Sequence, residues 1–450
     1  MKSILWILFL LLTVQSSLAE ENQKNRTDQE HHAQALLKWL NEEGGYFHPQ
    51  LEMRRLDPSD PTSFFGMFAK GDIVKDELLF RIPRSMIMDS GEEDPDAGGT
   101  ESSPLTCGTA RNLAEQLRLK DKSKYAPYVN YLLDTQSPNT IPSGWSKSAQ
   151  SLLEHLLGDS EGDFDLLRLL GGDPFLWLDE WHESCDGSKD PLDEFAALLV
   201  IQRSWDDILV PMLDLLSHRN GKWLNIKHSD VFDKSNDVEV RAKRDIQKSE
   251  QIYSTYNKCE SCGIRTNMYG TPDILRDYGF VEQMPQSYFL YPFGFGFRLD
   301  YKDYDENGQP IGDVTVTEWI NSGPDIDDIH LFRDIAKQIK KKKKAFLNVR
   351  EENVSDFEWN TINAYMNALE VAFEAVGNSS VPVVMDPYQW YYGNVSETEE
   401  DNDEDDDEDD EEEDEEEHDE EEEHDEENHD TEEEHDEENH DTEEEQHDEL

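Results

Sequence analysis

Cys259-Glu260-Ser261-Cys262 holds two of the four cysteines in this 450-residue chain. Two thiols at this spacing can close a disulfide, act as a redox pair, or supply half of a zinc site. A four-thiolate zinc site would need Cys107 and Cys185 to converge on the pair. Redox work asks for a thioredoxin-like strand-to-helix context. Here a strand-like run from Ile252 to Tyr256 leads into a loop with Asn and Gly. That context favours a local structural pair, a disulfide included, over redox catalysis. Cys107 with Cys185 is a possible second bridge. Neither connectivity is fixed by spacing alone.

The other concentrated chemistry is carboxylate. The formal net charge is −64, and residues 397–450 contain no Lys or Arg. Within that block HDEENHDTEEE occurs twice in succession, at 424–434 and 435–445. The period is too short and polar for a solenoid, so it reads as low-complexity expansion. Such a segment repels itself, has little to bury and is expected to be disordered. Dense carboxylates attract calcium as a hard cation, but no spaced ligand loop is present, so any binding would be loose. A plain solvated spacer and a spacer with calcium capacity both fit. The interleaved histidines lack regular metal-ligand spacing, and no metal site is expected in the body. The body is itself acidic, which argues against nucleic-acid binding by phosphate neutralisation.

The two ends of the chain address a compartment. Lys2, an apolar run from Ile4 to Leu12 and small residues at Ser17-Leu18-Ala19 form a signal-peptide layout over residues 1–19. That run is shorter than the ~20 apolar residues a span requires, and no later segment is apolar enough for one. His447-Asp448-Glu449-Leu450 is a retention address read by a receptor. Acceptor sequons at Asn25, Asn353, Asn378 and Asn394 suit the same route. The expected location is the lumen of the endoplasmic reticulum.

Between the ends, elements alternate. Ala33, Leu36, Leu37 and Leu40 form a helical stripe closed by Gly44-Gly45. Ser63–Ala69 and Glu77–Ile82 read as strands around a Gly71-Asp72 turn. Residues 90–103 form a polar loop. From about 105 to 201 the pattern is helical. Strands are expected again at Asp237–Ala242, at Gln251–Tyr256 and over 287–318, then helix from 330 to 376. Ile362, Tyr365, Met366, Leu369, Phe373 and Val376 fall on one helical face and read as core. Lys340–Lys344 reads either as a solvated helix surface or as a basic patch for an acidic partner, the tail included. The fold class is α+β: a β domain over 33–290 with a helical insertion at 105–201, a module over 291–390 that is helical in its second half, and the acidic tail at 397–450.

Several segments of this body resemble the SET-domain protein-lysine methyltransferases, in the branch typified by the Rubisco large-subunit enzyme. They run in order over about residues 33–376. The first are Trp39-Leu40 with Gly44-Gly45, Leu51–Arg55, Phe65-Gly66-Met67-Phe68-Ala69, Asp72-Ile73 and Glu77-Leu78-Leu79. Lys124-Tyr125-Ala126-Pro127-Tyr128, Ile141-Pro142 and Trp145 are similar to the family's insertion. Pro211 to His218, Ala242 to Ile246, Glu250 to Tyr256 and Asp277-Tyr278-Gly279-Phe280-Val281 complete the set. The resemblance implies a SET-type fold and S-adenosylmethionine as methyl donor. It implies that Tyr256 is catalytic, orienting the substrate amine. Gly66 would let the backbone approach the donor, with Met67 and Phe68 along its amino-acid part. Arg203 and Asp214 would hold the donor's carboxylate and amino groups. Ser217 and His218 would face the adenine through their backbone, and Phe280 would stack on it.

Departures from the family pattern are Phe64 in place of a glycine, Ser217 in place of an asparagine, Ser249 and Asn257 in place of turn glycines, and an insertion at 259–271. A bulky Phe64 would narrow the donor pocket. Methyl transfer is an in-line displacement, so most of the catalytic work is positioning. Three functions follow as expectations. One is a lysine methyltransferase for a client of the secretory pathway. A second is a non-catalytic SET-like scaffold with a calcium-binding tail. The last is a thiol oxidoreductase on Cys259 and Cys262.

Overall fold

The computed structural model describes residues 31–57, 63–90, 105–158, 165–205, 207–257, 268–305, 308–346 and 353–379. The expectations for the leader, Cys259 and Cys262, Asn25 and Asn394, and the acidic tail with its terminal tetrapeptide fall outside these residues. Those described belong to the compact unit spanning 1–385.

Helix α1 covers residues 31–42 and buries Ala33, Leu36 and Leu40 of the expected stripe, while Leu37 is half-buried against the core. Gly44 ends it in the left-handed region at φ 83°. Strands β1 (Tyr46–Phe47), β2 (Leu51–Arg55), β3 (Phe65–Ala69) and β4 (Leu78–Ile82) follow. The helical stretch holds α2 (Cys107–Leu119), α3 (Ala126–Thr135), α4 (Lys147–Leu157), α5 (Leu166–Leu169), α6 (Leu176–Glu183) and α7 (Pro191–Arg203). Short strands return as β5 (Ser204–Trp205), β6 (Ile208–Leu209), β7 (Ser217–His218), β8 (Ile226–His228), β9 (Val238–Ala242) and β10 (Tyr253–Ser254). The chain then forms α8 (Thr271–Tyr278), β11 (Gln286–Leu290), β12 (Phe295–Tyr304), β13 (Pro310–Ile320), α9 (Ile326–Phe346) and α10 (Asp356–Gly377). The α+β class is as expected.

Small sheets frame the site. One is antiparallel in the order β1-β4-β9-β8, and β2 pairs with β3 as a hairpin. β10 runs parallel to β7, with Tyr253 opposite Ser217 and Ser254 opposite His218. The expected strand Gln251–Tyr256 is therefore divided in its pairing. Phe68 bridges Gln251, and the Ile252 amide donates to the Met67 carbonyl at 2.8 Å before the chain turns to β7. One segment thus ties β3 to β7, bringing Gly66, Ser217 and Tyr256 into one region.

Two apolar cores form. The first joins α1, the small sheets, α2, α3, α6 and α7. The second joins β11–β13, α9 and α10 with α4 and α5. The helical stretch is thus shared between the cores. Both ends of α4 show why it joins the second. Ser146 caps its start, and the Glu358 carboxylate accepts from the Ser146 amide at 2.6 Å and its hydroxyl at 3.2 Å. Glu358 also closes the capping box of α10, accepting from the Ser355 amide at 2.8 Å while its own amide donates to the Ser355 hydroxyl at 3.2 Å. At the far end of α4, Lys342 donates to the carbonyls of His155, Leu156 and Gly158. A cation on the last carbonyls of a helix is favoured by the macrodipole.

The lysine run is therefore largely engaged. Lys340 and Lys343 pair with Glu370, and Lys342 caps α4. Cys107 and Cys185 form a disulfide joining the start of α2 to the chain just after α6. Among the described residues no helix is long and apolar enough to cross a membrane.

Candidate functional site

Tyr256 lies two residues beyond β10, where the ladder has ended. Its hydroxyl donates to the Leu216 carbonyl at 2.5 Å, and its amide donates to His218 Nδ1 at 3.0 Å. The ring packs against Tyr278 at 4.5 Å, His218 at 5.1 Å and Phe280 at 6.3 Å between centroids. Tyr256, Tyr278 and Phe280 are each half-buried, so this aromatic wall reaches the surface. Burial pushes the Tyr256 hydroxyl well above the ordinary tyrosine value; Arg203 opposes the shift, and Asp214 and Tyr131 add to it. The hydroxyl stays protonated at any physiological pH.

Those electrostatic partners belong to a buried charge cluster. Arg203, the last residue of α7, sends Nη1 to Asp214 Oδ2 at 3.3 Å and to the Asp214 carbonyl at 3.2 Å. Its Nη2 donates to Gln136 Oε1 at 2.6 Å. The Tyr128 hydroxyl donates to Asp214 Oδ2 at 2.6 Å. The Asp214 side chain is fully buried and that of Arg203 is 12% exposed. Burial pushes the Asp214 carboxyl above the usual carboxylate range, against the pull of Arg203 and Tyr128. For Arg203, burial lowers the value, but Asp214 together with Tyr128, Tyr131 and Tyr256 outweighs it, so the guanidinium stays charged.

Two atoms in this cluster have no hydrogen-bond partner among the described residues: Asp214 Oδ1 and Arg203 Nε. A buried polar atom without a partner loses about 1–3 kcal/mol. One free acceptor and one free donor on neighbouring side chains are complementary to a zwitterion, an ammonium beside a carboxylate. That is the arrangement carried by the amino-acid end of S-adenosylmethionine, so the residues present fit the donor implied by the resemblance.

β3 forms the next wall. A Cβ added to Gly66 would meet Leu56 Cδ2 at 2.5 Å and Gln251 Nε2 at 3.1 Å. A side chain here would have to displace the flexible end of Leu56, which takes up the space above Gly66, and would crowd Gln251. Met67 is fully buried, and Phe68 lies beneath the Arg54 guanidinium at 3.5 Å. Gln251 Nε2 donates to the Ser217 hydroxyl at 2.7 Å, and Gln251 Oε1 accepts from Tyr253 at 2.8 Å. Phe64 is 45% exposed, and its carbonyl accepts from the Leu56 amide at 2.9 Å. It borders this region and does not fill it.

The structure thus brings Tyr256, His218 and Phe280 into direct contact. Gly66 and Ser217 meet across Gln251, and Arg203 with Asp214 lies within electrostatic reach of Tyr256. Tyr128, Gln136, Tyr278, Gln251 and Glu282 complete the surroundings, although sequence reasoning gave none of them a role. Tyr128 and Tyr278 fell inside segments that carried the resemblance. Gln136 and Glu282 carried no local signal, since their partners lie 67 and 64 residues away.

Residues 65–257 match the SET domain family. Over 283 residues the chain is 24% identical to the N-lysine methyltransferase setd6 of Salmo salar, covering 56% of this chain. The chain spans 60% of that protein's length. Similar solved structures include Rubisco LSMT bound to sinefungin and monomethyllysine, with a TM-score of 0.45 and 12% identity over 77% of this chain and 90% of that one. Another is the SET domain of LSMT bound to lysine and AdoHcy, with a TM-score of 0.41 and 12% identity over 77% and 91%.

Proposed function

We propose that this chain, whose residues 65–257 match the SET domain family, is an S-adenosylmethionine-dependent protein-lysine N-methyltransferase of the endoplasmic reticulum lumen. The observation that carries the reading is the pairing of two sites. Among the described residues, the buried Arg203–Asp214 cluster keeps a free donor and a free acceptor, and Tyr256 stands nearby on an aromatic wall that opens to solvent.

The donor supplies an electrophilic methyl group on a sulfonium. Asp214 Oδ1 would accept from its amino group and Arg203 Nε would donate to its carboxylate. Gly66 would admit the donor once Leu56 swings aside. Tyr256, Tyr278 and Phe280 line the approach for the substrate side chain. Their apolar faces disfavour the charged lysine and so favour the neutral nucleophile. The Tyr256 hydroxyl, neutral and fixed by the Leu216 carbonyl, orients the amine. Positioning of this kind can supply about 7–11 kcal/mol of the barrier.

The lumenal location is supported by the Cys107–Cys185 disulfide, since such bonds persist in oxidising compartments. The leader, the sequons and His447–Leu450 point the same way. The substrate is then a protein of the secretory pathway, and the retention receptor is a second partner.

Calorimetry with S-adenosylmethionine tests the reading. Saturable binding that Asp214→Ala abolishes is expected, together with Tyr256-dependent transfer of labelled methyl to lumenal protein. A folded protein that binds no donor would leave the alternative, a non-catalytic scaffold. Leu56 packed over Gly66 favours that alternative.

A further inference from the structure

Glu282 is fully buried and holds four donors. His218 Nε2 lies 2.7 Å from its Oε2, and the Thr271 hydroxyl donates to Oε1 at 2.6 Å. Asn220 Nδ2 reaches Oε2 at 3.2 Å, and Asn257 Nδ2 at 3.5 Å. Asn220 also donates to Asn257 Oδ1 at 2.8 Å, and Thr255 donates to Asn220 Oδ1 at 2.8 Å. The residues on both sides of Tyr256 are therefore bound into one buried polar network.

Tyr256 enters that network through its backbone. β10 ends at Ser254, whose carbonyl accepts the Arg219 amide at 3.0 Å, so no strand neighbour takes up the Tyr256 amide. His218 Nδ1 takes it. To accept, Nδ1 must carry its lone pair, which places the ring proton on Nε2, facing Glu282. The tautomer of an imidazole follows from the bond made by its other nitrogen, and an outer carboxylate is the common means of fixing it. Without Glu282 the ring could put its proton on Nδ1, and two N–H groups would then oppose each other at Tyr256.

We infer that Glu282 is a positioning residue: through His218 it fixes the backbone, and with it the ring, of Tyr256. The inference rests on the methyltransferase reading for its effect on turnover, but the clamp itself can be measured without it.

The test uses the full chain. In wild-type protein, the nitrogen shifts of His218 should report the proton on Nε2; a proton on Nδ1 overturns the inference whatever the variants do. In Glu282→Ala, amide exchange at Tyr256 should speed up at least about tenfold, and kcat should fall about 100-fold with KM and donor affinity unchanged. Glu282→Gln keeps an acceptor towards His218 and can donate to Thr271, so it should restore the protection of that amide. Wild-type protection and kcat in folded Glu282→Ala would overturn the inference. So would folded Glu282→Gln with Tyr256 as unprotected as in Glu282→Ala. If the wild-type protein transfers no methyl group, the methyltransferase reading falls alone, and the exchange and tautomer measurements still decide the clamp.

Discussion

The Tyr256 hydroxyl is bonded to the Leu216 carbonyl and raised in pKa by burial, so it is an oriented dipole and not a base. Replacing it with Phe keeps the aromatic packing against Tyr278 and removes only that dipole. Tyr256→Phe should reduce methyl transfer about 100-fold or more while donor affinity stays within about twofold. Equal losses in both, read by calorimetry beside a labelled-methyl assay, would mean the residue supports the fold only. At this scale the sequence singles out residues that sit in their own motifs, as with Tyr256, Asp214 and Gly66, and the roles given them come from the resemblance. It was not legible for Glu282 or Gln136, whose meaning comes entirely from what the fold lays beside them. Phe64 shows the converse. Its bulk suggested a narrowed donor pocket, but the side chain is 45% exposed, and Leu56 lies over Gly66 in its place.

Among the elements, α4 depends most on distant chain. Its first turn is satisfied by Glu358, which also starts α10, and its last turn by Lys342 of α9. Burial raises the Glu358 carboxyl, but the bonds from the Ser146 and Ser355 amides and hydroxyls outweigh it, and its pKa lies below the usual value. Glu358→Ala removes acceptors from two helix starts and should destabilise the protein by about 3 kcal/mol at pH 7 in urea unfolding. The lowered pKa sets the sign with pH. The stabilisation from Glu358 is present above its unfolded value of 4.5 and is lost as pH falls through the folded value. The gap between wild type and variant should therefore close in acid; a constant gap would show that the carboxylate charge plays no part. Spacing along the chain revealed the α10 stripe and most strands, because those are local patterns. The division of the helical stretch between two cores was not local. The leucines of α4 read alike whichever core receives them, and the partners that hold it in the second, Glu358 and Lys342 among them, lie far along the chain.

For the molecule as a whole, the disulfide sets a boundary condition. Cys107 and Cys185 are 78 residues apart, and closing a loop of that length removes about 4.5 kcal/mol of unfolded-state freedom in the chain-entropy view. Cys107→Ser should lower stability by about 2–5 kcal/mol, measured by denaturant unfolding of oxidised protein. An unchanged midpoint would mean that the bridge adds nothing to the first core. The same loss is expected of wild-type chain whose Cys107–Cys185 bond is kept reduced.

The double grip on α4 also has a consequence in time. Ser146 leaves the ribosome 212 residues ahead of Glu358. At about 5–20 residues per second, that interval is roughly 10–40 seconds. Throughout it α4 lacks the Glu358 carboxylate and α10, and for most of it the leucine face also lacks the sheet of β11–β13 and α9. Nascent chains of this protein should therefore be clients of folding helpers during that window, and premature termination before Ser355 should leave a product that is degraded and not merely shortened.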